Sequence, residues 1–263
     1  MKKSYVLNLP GKSSCYFDFQ ILQSGLDLYI YCPSDSESSW ITLKDIDNEK
    51  LFVIANAKPI FVPRKNSSLA NFRGTSIFLS GGCYVKDLDS KSNVFQYRVS
   101  ADSWTACPEL NQSRERHSSC VVKDSLYICG GFTPFEPSSF LTSVERLRVR
   151  EDARYDAIDY SGRFEILNVA TPPFHSFLMV PSSASNEILF LGGSDGRSYL
   201  GAVSVLNLAN LSLRPIVNYR KLCFTAQSNS YRLSSRSGEI LAVVRDDLGN
   251  SDLISYSKEW SKI

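Results

Sequence analysis

A short apolar run that ends in two glycines occurs three times in this chain of 263 residues. The glycine pairs are Gly81 with Gly82, Gly130 with Gly131, and Gly192 with Gly193. Their first members are 49 residues apart (81 to 130) and then 62 residues apart (130 to 192). Repetition at about 50 residues indicates structural units that cannot bury both faces alone and therefore stack on one another. No other feature of the sequence constrains the fold as strongly.

The repeated pattern continues after each glycine pair. A polar loop is followed by a strand with alternating apolar residues, and then by a further strand led by a large side chain. The alternating strands begin at Val94, Val144 and Val203, and the last strands are led by Trp104, Phe164 and Leu213. Because period-two alternation is typical of half-buried strands, each repeat is predicted to be a four-stranded meander. Residues 28–32 and 240–244 continue the series in both directions without the glycines.

These features resemble the kelch repeat, in which a double glycine closes the second strand and a Tyr and a Trp follow. Gly81, Gly82, Tyr97 and Trp104 carry nearly the whole motif. The later repeats keep only their glycine pairs, Gly130 with Gly131 and Gly192 with Gly193. The resemblance implies an all-β, kelch-type β-propeller with four-stranded antiparallel blades. A two-sheet sandwich would explain the short strands but not a four-part unit at this spacing.

We expect a single domain over residues 1–263, with repeats at about 14–63, 64–112, 113–171, 172–222 and 223–263. Residues 1–13 contain a candidate strand that would close the ring by pairing with the last blade. The last repeat also has its own candidate fourth strand at residues 259–263. Five or six blades are therefore both compatible with the sequence. The charged residues 150–160 are predicted to form a solvated loop, with a partner-docking loop as the alternative.

Composition excludes several classes of protein. The net charge of +2 provides no long-range field that would favour nucleic acid or an anionic membrane. No signal-peptide core and no membrane-spanning apolar run is present, so we expect a soluble, cytoplasmic protein. The seven cysteines are widely spaced and form no C-x-x-C pair, which favours neither a disulfide framework nor a zinc site. We predict no metal and no cofactor.

The sequence contains no recognisable catalytic motif. Its two histidines, His117 and His175, both stand at the start of a predicted first strand, and we interpret them as equivalent framework positions. We therefore predict that the protein is not an enzyme. The alternative is a small-molecule enzyme on a kelch-like propeller, of the sugar epimerase or oxidase type. An epimerase-like site would be built from Arg, Glu and Asp side chains on the central face.

The resemblance implies a binding face where loops and strand ends converge on the central channel. The family often uses an Arg that leads into the first strand of a blade, and motif alignment gives Arg116 that position. Arg64 and Arg73 are looser candidates. Phe132 and Phe135 lie in a proline-rich loop and offer an ordered aromatic contact surface, unless they pack on the neighbouring blade.

The sequence thus predicts a non-catalytic protein–protein interaction module or scaffold subunit. Its expected partner is another protein, in a larger complex or a cytoskeletal assembly. Many kelch proteins carry a BTB and BACK region ahead of the repeats, whereas this chain starts directly with strands. We therefore expect an adaptor that acts without such a region.

Overall fold

The computed structural model describes the central part of the chain in most detail. The described residues are 20–24, 26–33, 38–44, 52–55, 59–61, 64–84, 91–133, 140–152, 157–160, 162–169, 171–172, 175–181, 186–198, 200, 202–218, 233–234, 240–245, 251–256 and 260–262. They contain strands and turns but no helix. The predicted closing strand in residues 1–13 lies outside this set, so closure by strand pairing stays a prediction.

Five sheets follow one another along the chain, and we number them blades 1 to 5. Blade 1 consists of β1 (Gln20–Ser24), β2 (Asp27–Pro33), β3 (Ser38–Lys44) and β4 (Phe52–Ala55). Blade 2 consists of β6 (Ser68–Phe72), β7 (Ser76–Ser80), β9 (Val94–Arg98) and β10 (Ser103–Ala106). A short pair, β5 (Arg64–Lys65) and β8 (Cys83–Tyr84), extends one end of blade 2.

Blade 3 consists of β11 (Ser118–Val122), β12 (Ser125–Cys129), β13 (Val144–Asp152), β14 (Ala157–Tyr160) and β15 (Glu165–Leu167). Blade 4 consists of β16 (Leu178–Pro181), β17 (Glu187–Leu191), β18 (Ala202–Asn207) and β19 (Ser212–Asn218). Blade 5 consists of β20 (Leu233–Ser234), β21 (Ile240–Arg245), β22 (Ser251–Tyr256) and β23 (Trp260–Lys262). All strand pairs are antiparallel, and each sheet lies within one of the repeats expected from the sequence.

The first strands of the blades lie side by side. Strand β6 contacts β1 on one side and β11 on the other, and β11 contacts β16. Strand β20 of the last blade contacts β1 of the first. The blades are therefore arranged around a common centre, as in a β-propeller, and the predicted fold class is confirmed.

The hydrophobic core lies between neighbouring blades. Trp104 of blade 2 packs against Trp40 of blade 1, with ring centres 5.2 Å apart, and both rings contact Tyr97. A second cluster joins blades 2 and 3, and a third joins blades 3 and 4. At these three boundaries the blades bury their faces against one another, and large aromatic side chains such as Trp104 fill the space between blades 1 and 2.

The charged segment of blade 3, residues 150–160, was predicted to be a loop, but its described residues form strands. Strand β13 continues to Asp152 and pairs with β14 through four residue pairs, from Val149 with Tyr160 to Asp152 with Ala157. The Tyr160 hydroxyl contacts the Gln96 side chain of blade 2 and lies 3.1 Å from Cys107 Sγ. This segment is therefore a hairpin anchored on the preceding blade, because cross-strand pairing and the Tyr160 contact outweigh its high charge.

Candidate binding face at the centre of the propeller

Three short backbone pairings lie at the same end of blades 2, 3 and 4. Each joins a residue just before the first strand to a residue just after the glycine pair. The pairs are Lys65 with Cys83, Glu115 with Phe132, and His175 with Ser194. Lys65, Glu115 and His175 therefore occupy equivalent positions in consecutive blades.

The next residue in each blade has a left-handed backbone. The φ angles are +56° at Asn66, +51° at Arg116 and +54° at Ser176. Arg116 N donates to Asn66 O at 2.9 Å, and Ser176 N donates to Arg116 O at 2.8 Å. These bonds join the three blades in an arc at the centre of the ring. We call the surface around Asn66, Arg116 and Ser176 the hub face.

The second glycine of each pair allows this arrangement. Gly82 N donates to Arg114 O at 2.8 Å, which places the corner of blade 2 directly against blade 3. At Gly131 the backbone has φ +84°, and an added Cβ would lie 2.9 Å from both Cβ and N of His117. Only a residue without a side chain fits such a corner, which explains why the glycine pairs recur in the sequence.

Arg116 is the exposed cation of the hub face. Its guanidinium carbon lies 5.6 Å from the centre of the Phe132 ring, in a cation–π arrangement. Among the described residues, its guanidinium makes no hydrogen bond and no ion pair. The donors of Arg116 therefore remain available for a ligand, with the ring of Phe132 as their support.

Two further rings extend the surface beside Arg116. The His175 ring stacks on Phe140, with centres 5.2 Å apart and planes 9° apart, and meets Phe132 edge-on at 5.6 Å. Each of the three rings is partly exposed. We call Phe132, Phe140 and His175 the aromatic platform. Phe135, the other predicted contact, lies outside the described residues.

His175 behaves as a neutral aromatic ring near pH 7. Burial, together with the positive charge of Arg116, lowers its pKa to about 4, while Asp195 acts in the opposite direction. Its Nδ1 lies 2.9 Å from the Ser176 hydroxyl. The sequence analysis interpreted His117 and His175 as equivalent, and this was wrong: the residue equivalent to His175 lies two positions before His117. Backbone pairing aligns His175 with Glu115, whereas His117 corresponds to Phe177.

A buried polar cluster lies beneath Arg116. The Glu115 carboxylate is 4% exposed and accepts hydrogen bonds from Asn66 Nδ2 at 2.7 Å and from Cys83 Sγ at 3.0 Å. Burial and the neighbouring carboxylate raise the pKa of the Cys83 thiol to about 12, so the thiol stays protonated and donates. Sequence reasoning missed this cluster because it links residues 32 and 49 positions apart.

Arg64 lies inside the protein. Its side chain is 2% exposed, and its guanidinium donates to Asn93 Oδ1 at 2.9 Å and to Gly81 O at 3.4 Å. The rings of Phe61, Tyr84 and Phe95 surround it. This burial favours a framework role for Arg64 over the predicted partner contact.

The structural equivalent of Arg64 in the next blade is Arg114. Arg114 donates to Gly130 O at 3.0 Å, just as Arg64 donates to Gly81 O. Its other partners are Ser143 Oγ at 3.0 Å and Glu145 at 2.5 Å, and both side chains of the ion pair with Glu145 are 0% exposed. Two of the candidate arginines that seemed comparable in sequence, Arg64 and Arg116, therefore occupy different structural positions.

Arg73 lies at the opposite end of the blade from Arg116. It belongs to the turn between β6 and β7, whereas Arg116 precedes the first strand of its blade. Its guanidinium forms an exposed ion pair with Asp124 in the corresponding turn of blade 3. The structure therefore does not bring Arg73 together with Arg116 in one site.

His117 is expected to make stability depend on pH. The ring is fully buried, its Nε2 lies 2.9 Å from Ser80 Oγ, and burial together with the charge of Arg114 lowers its pKa to about 3. Because the unfolded chain has a His pKa near 6.5, it binds more protons than the folded chain between pH 6.5 and pH 3, and stability falls as pH falls through this window.

The free energy of unfolding of the unmodified protein should fall by about 2 kcal/mol more than that of His117→Gln between pH 7 and pH 5. Urea denaturation at both pH values measures this difference. Parallel pH profiles for the two proteins would contradict the assignment.

Two features are absent from the described residues. No group of three or more His, Cys, Asp or Glu side chains is arranged to hold a metal ion. None of the described segments forms a helix long and apolar enough to cross a membrane.

Comparison with known proteins gives one motif match, one related sequence and one similar solved structure. A family model described as "Kelch motif" matches residues 113–155, the repeat that contains Arg116. Beta-scruin of Limulus polyphemus is 32% identical over 75 residues, which are 27% of this chain and 8% of the length of beta-scruin. A solved structure titled "Structure of YjhT" superposes with a TM-score of 0.62 at 13% identity, over 86% of this chain and 72% of that chain. The chain therefore carries a kelch motif at residues 113–155 within a β-propeller of the kelch type.

Proposed function

We propose that this protein is a non-catalytic interaction module that binds a partner protein through the hub face, with Arg116 as the central contact. The observation that carries the proposal is an exposed arginine on a left-handed backbone at the centre of the propeller. The proposed setting is the cytoplasm, and the proposed partner belongs to a larger assembly.

The backbone at Arg116 does not favour an arginine. A residue with a Cβ costs about 1–2 kcal/mol in the left-handed region, and Asn is among the few residues that adopt it readily. The equivalent residue of blade 2 is indeed Asn66. Non-Gly residues in strained conformations are enriched at functional sites, although Arg73 and Lys123 adopt the same backbone in turns. An exposed side chain that does not help the fold is best explained by what it binds.

The chemistry around Arg116 suits recognition of a protein surface. A guanidinium offers a planar fork of donors that matches a carboxylate, and stacking on Phe132 holds the fork in one orientation. Arg and aromatic side chains are also the groups that contribute most to protein interfaces. The aromatic platform next to Arg116 provides the apolar part of such a contact.

Arg116→Asn should remove partner binding without loss of stability. The free energy of unfolding should stay equal or rise by up to about 1 kcal/mol, because Asn tolerates the left-handed backbone. Quantitative affinity purification from cells that contain the natural partners should show at least a tenfold lower recovery of the partner. Urea denaturation of the same variant measures its stability.

Arg73→Asn is the matched control. Arg73 is also an exposed arginine with φ +51°, but it lies at the other end of its blade and forms a surface ion pair of small energetic value. This control removes the same charge and relieves the same backbone strain. Equal recovery of partners by both variants would exclude Arg116 from the interface.

A further inference from the structure

We infer that the hairpin formed by residues 149–152 of β13 and by β14 is a strap that closes the boundary between blades 2 and 3, and that it opens while the rest of the propeller stays folded. The hydroxyl group of Tyr160 holds the strap closed. The strap lies at the end of the blades opposite to the hub face, so this inference does not rest on the proposed function.

The strap extends beyond the four-stranded part of blade 3. Strand β13 begins at Val144 beside the glycine corner, and its pairing with β12 ends where Arg148 lies opposite Ser125. Val149 N donates to Asp124 O at 2.8 Å, in the turn between β11 and β12. Beyond that point, β14 is the pairing partner of β13 among the described strands. The strap is therefore a two-stranded ribbon at the end of the blade far from the hub face.

A ribbon of this kind is weak without further support. An isolated two-stranded hairpin is at most marginally stable in water, and only four residue pairs join β14 to β13. Six of the eleven residues from 150 to 160 are charged, so the segment has little apolar surface to bury. Segments with few buried apolar contacts open at a lower free energy than the core of a fold. The strap therefore depends on its anchor to blade 2.

Tyr160 provides this anchor. Its side chain packs against the hydrophobic cluster between blades 2 and 3, together with Cys107 and Val121. Its hydroxyl donates to Gln96 Oε1 and accepts from Cys107 Sγ at 3.1 Å. Gln96 is 2% exposed, and its Nε2 donates to Ser76 Oγ at 2.8 Å. The Tyr160 hydroxyl therefore links the strap to a buried polar pair of blade 2.

The thiol of Cys107 reports whether the strap is closed. In the closed form, burial raises the pKa of this thiol to about 12, so very little reactive thiolate is present near pH 8. When Tyr160 leaves the boundary, the thiol meets water and its pKa returns towards the ordinary value of about 8.5. The rate at which Cys107 is alkylated therefore measures the fraction of open strap.

The experiment is alkylation of the intact chain with short pulses of iodoacetamide near pH 8, at urea concentrations below the unfolding transition. Mass spectrometry of the peptides gives a separate rate for each cysteine. Cys129 is 0% exposed, so it should react only after unfolding, at a rate that rises steeply with urea. Cys107 should react much faster, and its rate should change little with urea, because opening of the strap exposes little surface.

Two variants separate opening of the strap from unfolding of the whole chain. Tyr160→Phe should raise the rate at Cys107 at least about threefold, because the closed form then leaves Gln96 Oε1 buried without its donor. Tyr97→Phe is the matched control, since the Tyr97 hydroxyl donates to Asp102 Oδ1 at 2.6 Å within blade 2. This control should raise the rate at Cys129 through lower global stability and should leave the rate at Cys107 unchanged.

Several results would overturn the inference. They are an equally steep dependence on urea at Cys107 and Cys129, a rate at Cys107 that equals that of an unfolded peptide, no effect of Tyr160→Phe, or equal effects of Tyr160→Phe and Tyr97→Phe at Cys107. If Tyr160→Phe does not fold, the dependence on urea in the unmodified protein still decides between local opening and global unfolding.

Discussion

Gly131→Ala is expected to lower the free energy of unfolding by more than about 3 kcal/mol, well above the typical effect of a point mutation. The new methyl group would overlap the carbonyl oxygen of Glu115 and approach His117 Cβ within 2.9 Å. Both neighbours belong to the segment that leads into the central strand β11, so neither can move without disturbing the hub. Urea denaturation followed by circular dichroism measures the loss.

Gly162→Ala separates steric overlap from backbone strain. Gly162 has φ +92°, close to the +84° of Gly131, but no atom lies within 4 Å of the position of an added Cβ. The free energy of unfolding of this variant should fall by only about 1–2 kcal/mol, which is the cost of placing a residue with a Cβ in the left-handed region. Equal losses at Gly131 and Gly162 would show that the double-glycine corner is not crowded, and would contradict the packing of the hub described above.

Arg114→Met should destabilise the protein by about 3–5 kcal/mol, because it leaves the charge of Glu145 buried without its counterion. Both side chains of the pair are 0% exposed. The remaining partners of Glu145 are the backbone N–H groups of Asn111 and Gln112 and the Asn111 side chain. These neutral donors solvate the carboxylate only in part. Adding Glu145→Gln to the variant should recover about 1–2 kcal/mol.

Arg64→Met is the matched control at the equivalent position of blade 2. Arg64 donates to Gly81 O as Arg114 donates to Gly130 O, but aromatic rings surround it and its side-chain partner is the neutral Asn93. Met can fill this apolar space without leaving a buried charge behind, so we expect a loss of about 1 kcal/mol or less. A loss as large as that of Arg114→Met would contradict the role assigned to Glu145.

The predicted four-stranded antiparallel sheets were confirmed because their signals are local. Alternating residues in β9, β13 and β18 specify strands by themselves, and the glycine pairs mark turns whose backbone excludes a Cβ. Trp104, which leads the last strand of its repeat in the sequence, packs against Trp40 of the neighbouring blade. Residues 150–152 and 157–160 were wrongly predicted as a loop, because their pairing and the Tyr160 anchor could not be inferred from their charge.

The candidate site was only partly predictable. Arg116 was singled out by its place in the motif, and Phe132 by its loop. Phe140 and His175 were missed as members of the platform, because their contacts cross from one blade to the next. Arg64 and Arg116 lie at a spacing close to the repeat period, yet one is buried and the other exposed. A shift of two residues in register separates these outcomes, and neither composition nor period detects it.

The amino-acid sequence by itself determined that this chain forms repeated four-stranded antiparallel units with glycine corners. Short-range backbone preferences and period-two burial are sufficient for that conclusion. Only the tertiary structure decided which side chains reach solvent at the hub. That outcome depends on hydrogen bonds between blades, such as the bond from Arg116 N to Asn66 O, which join residues 50 positions apart (66 to 116). Contacts of this kind form only when the blades are assembled.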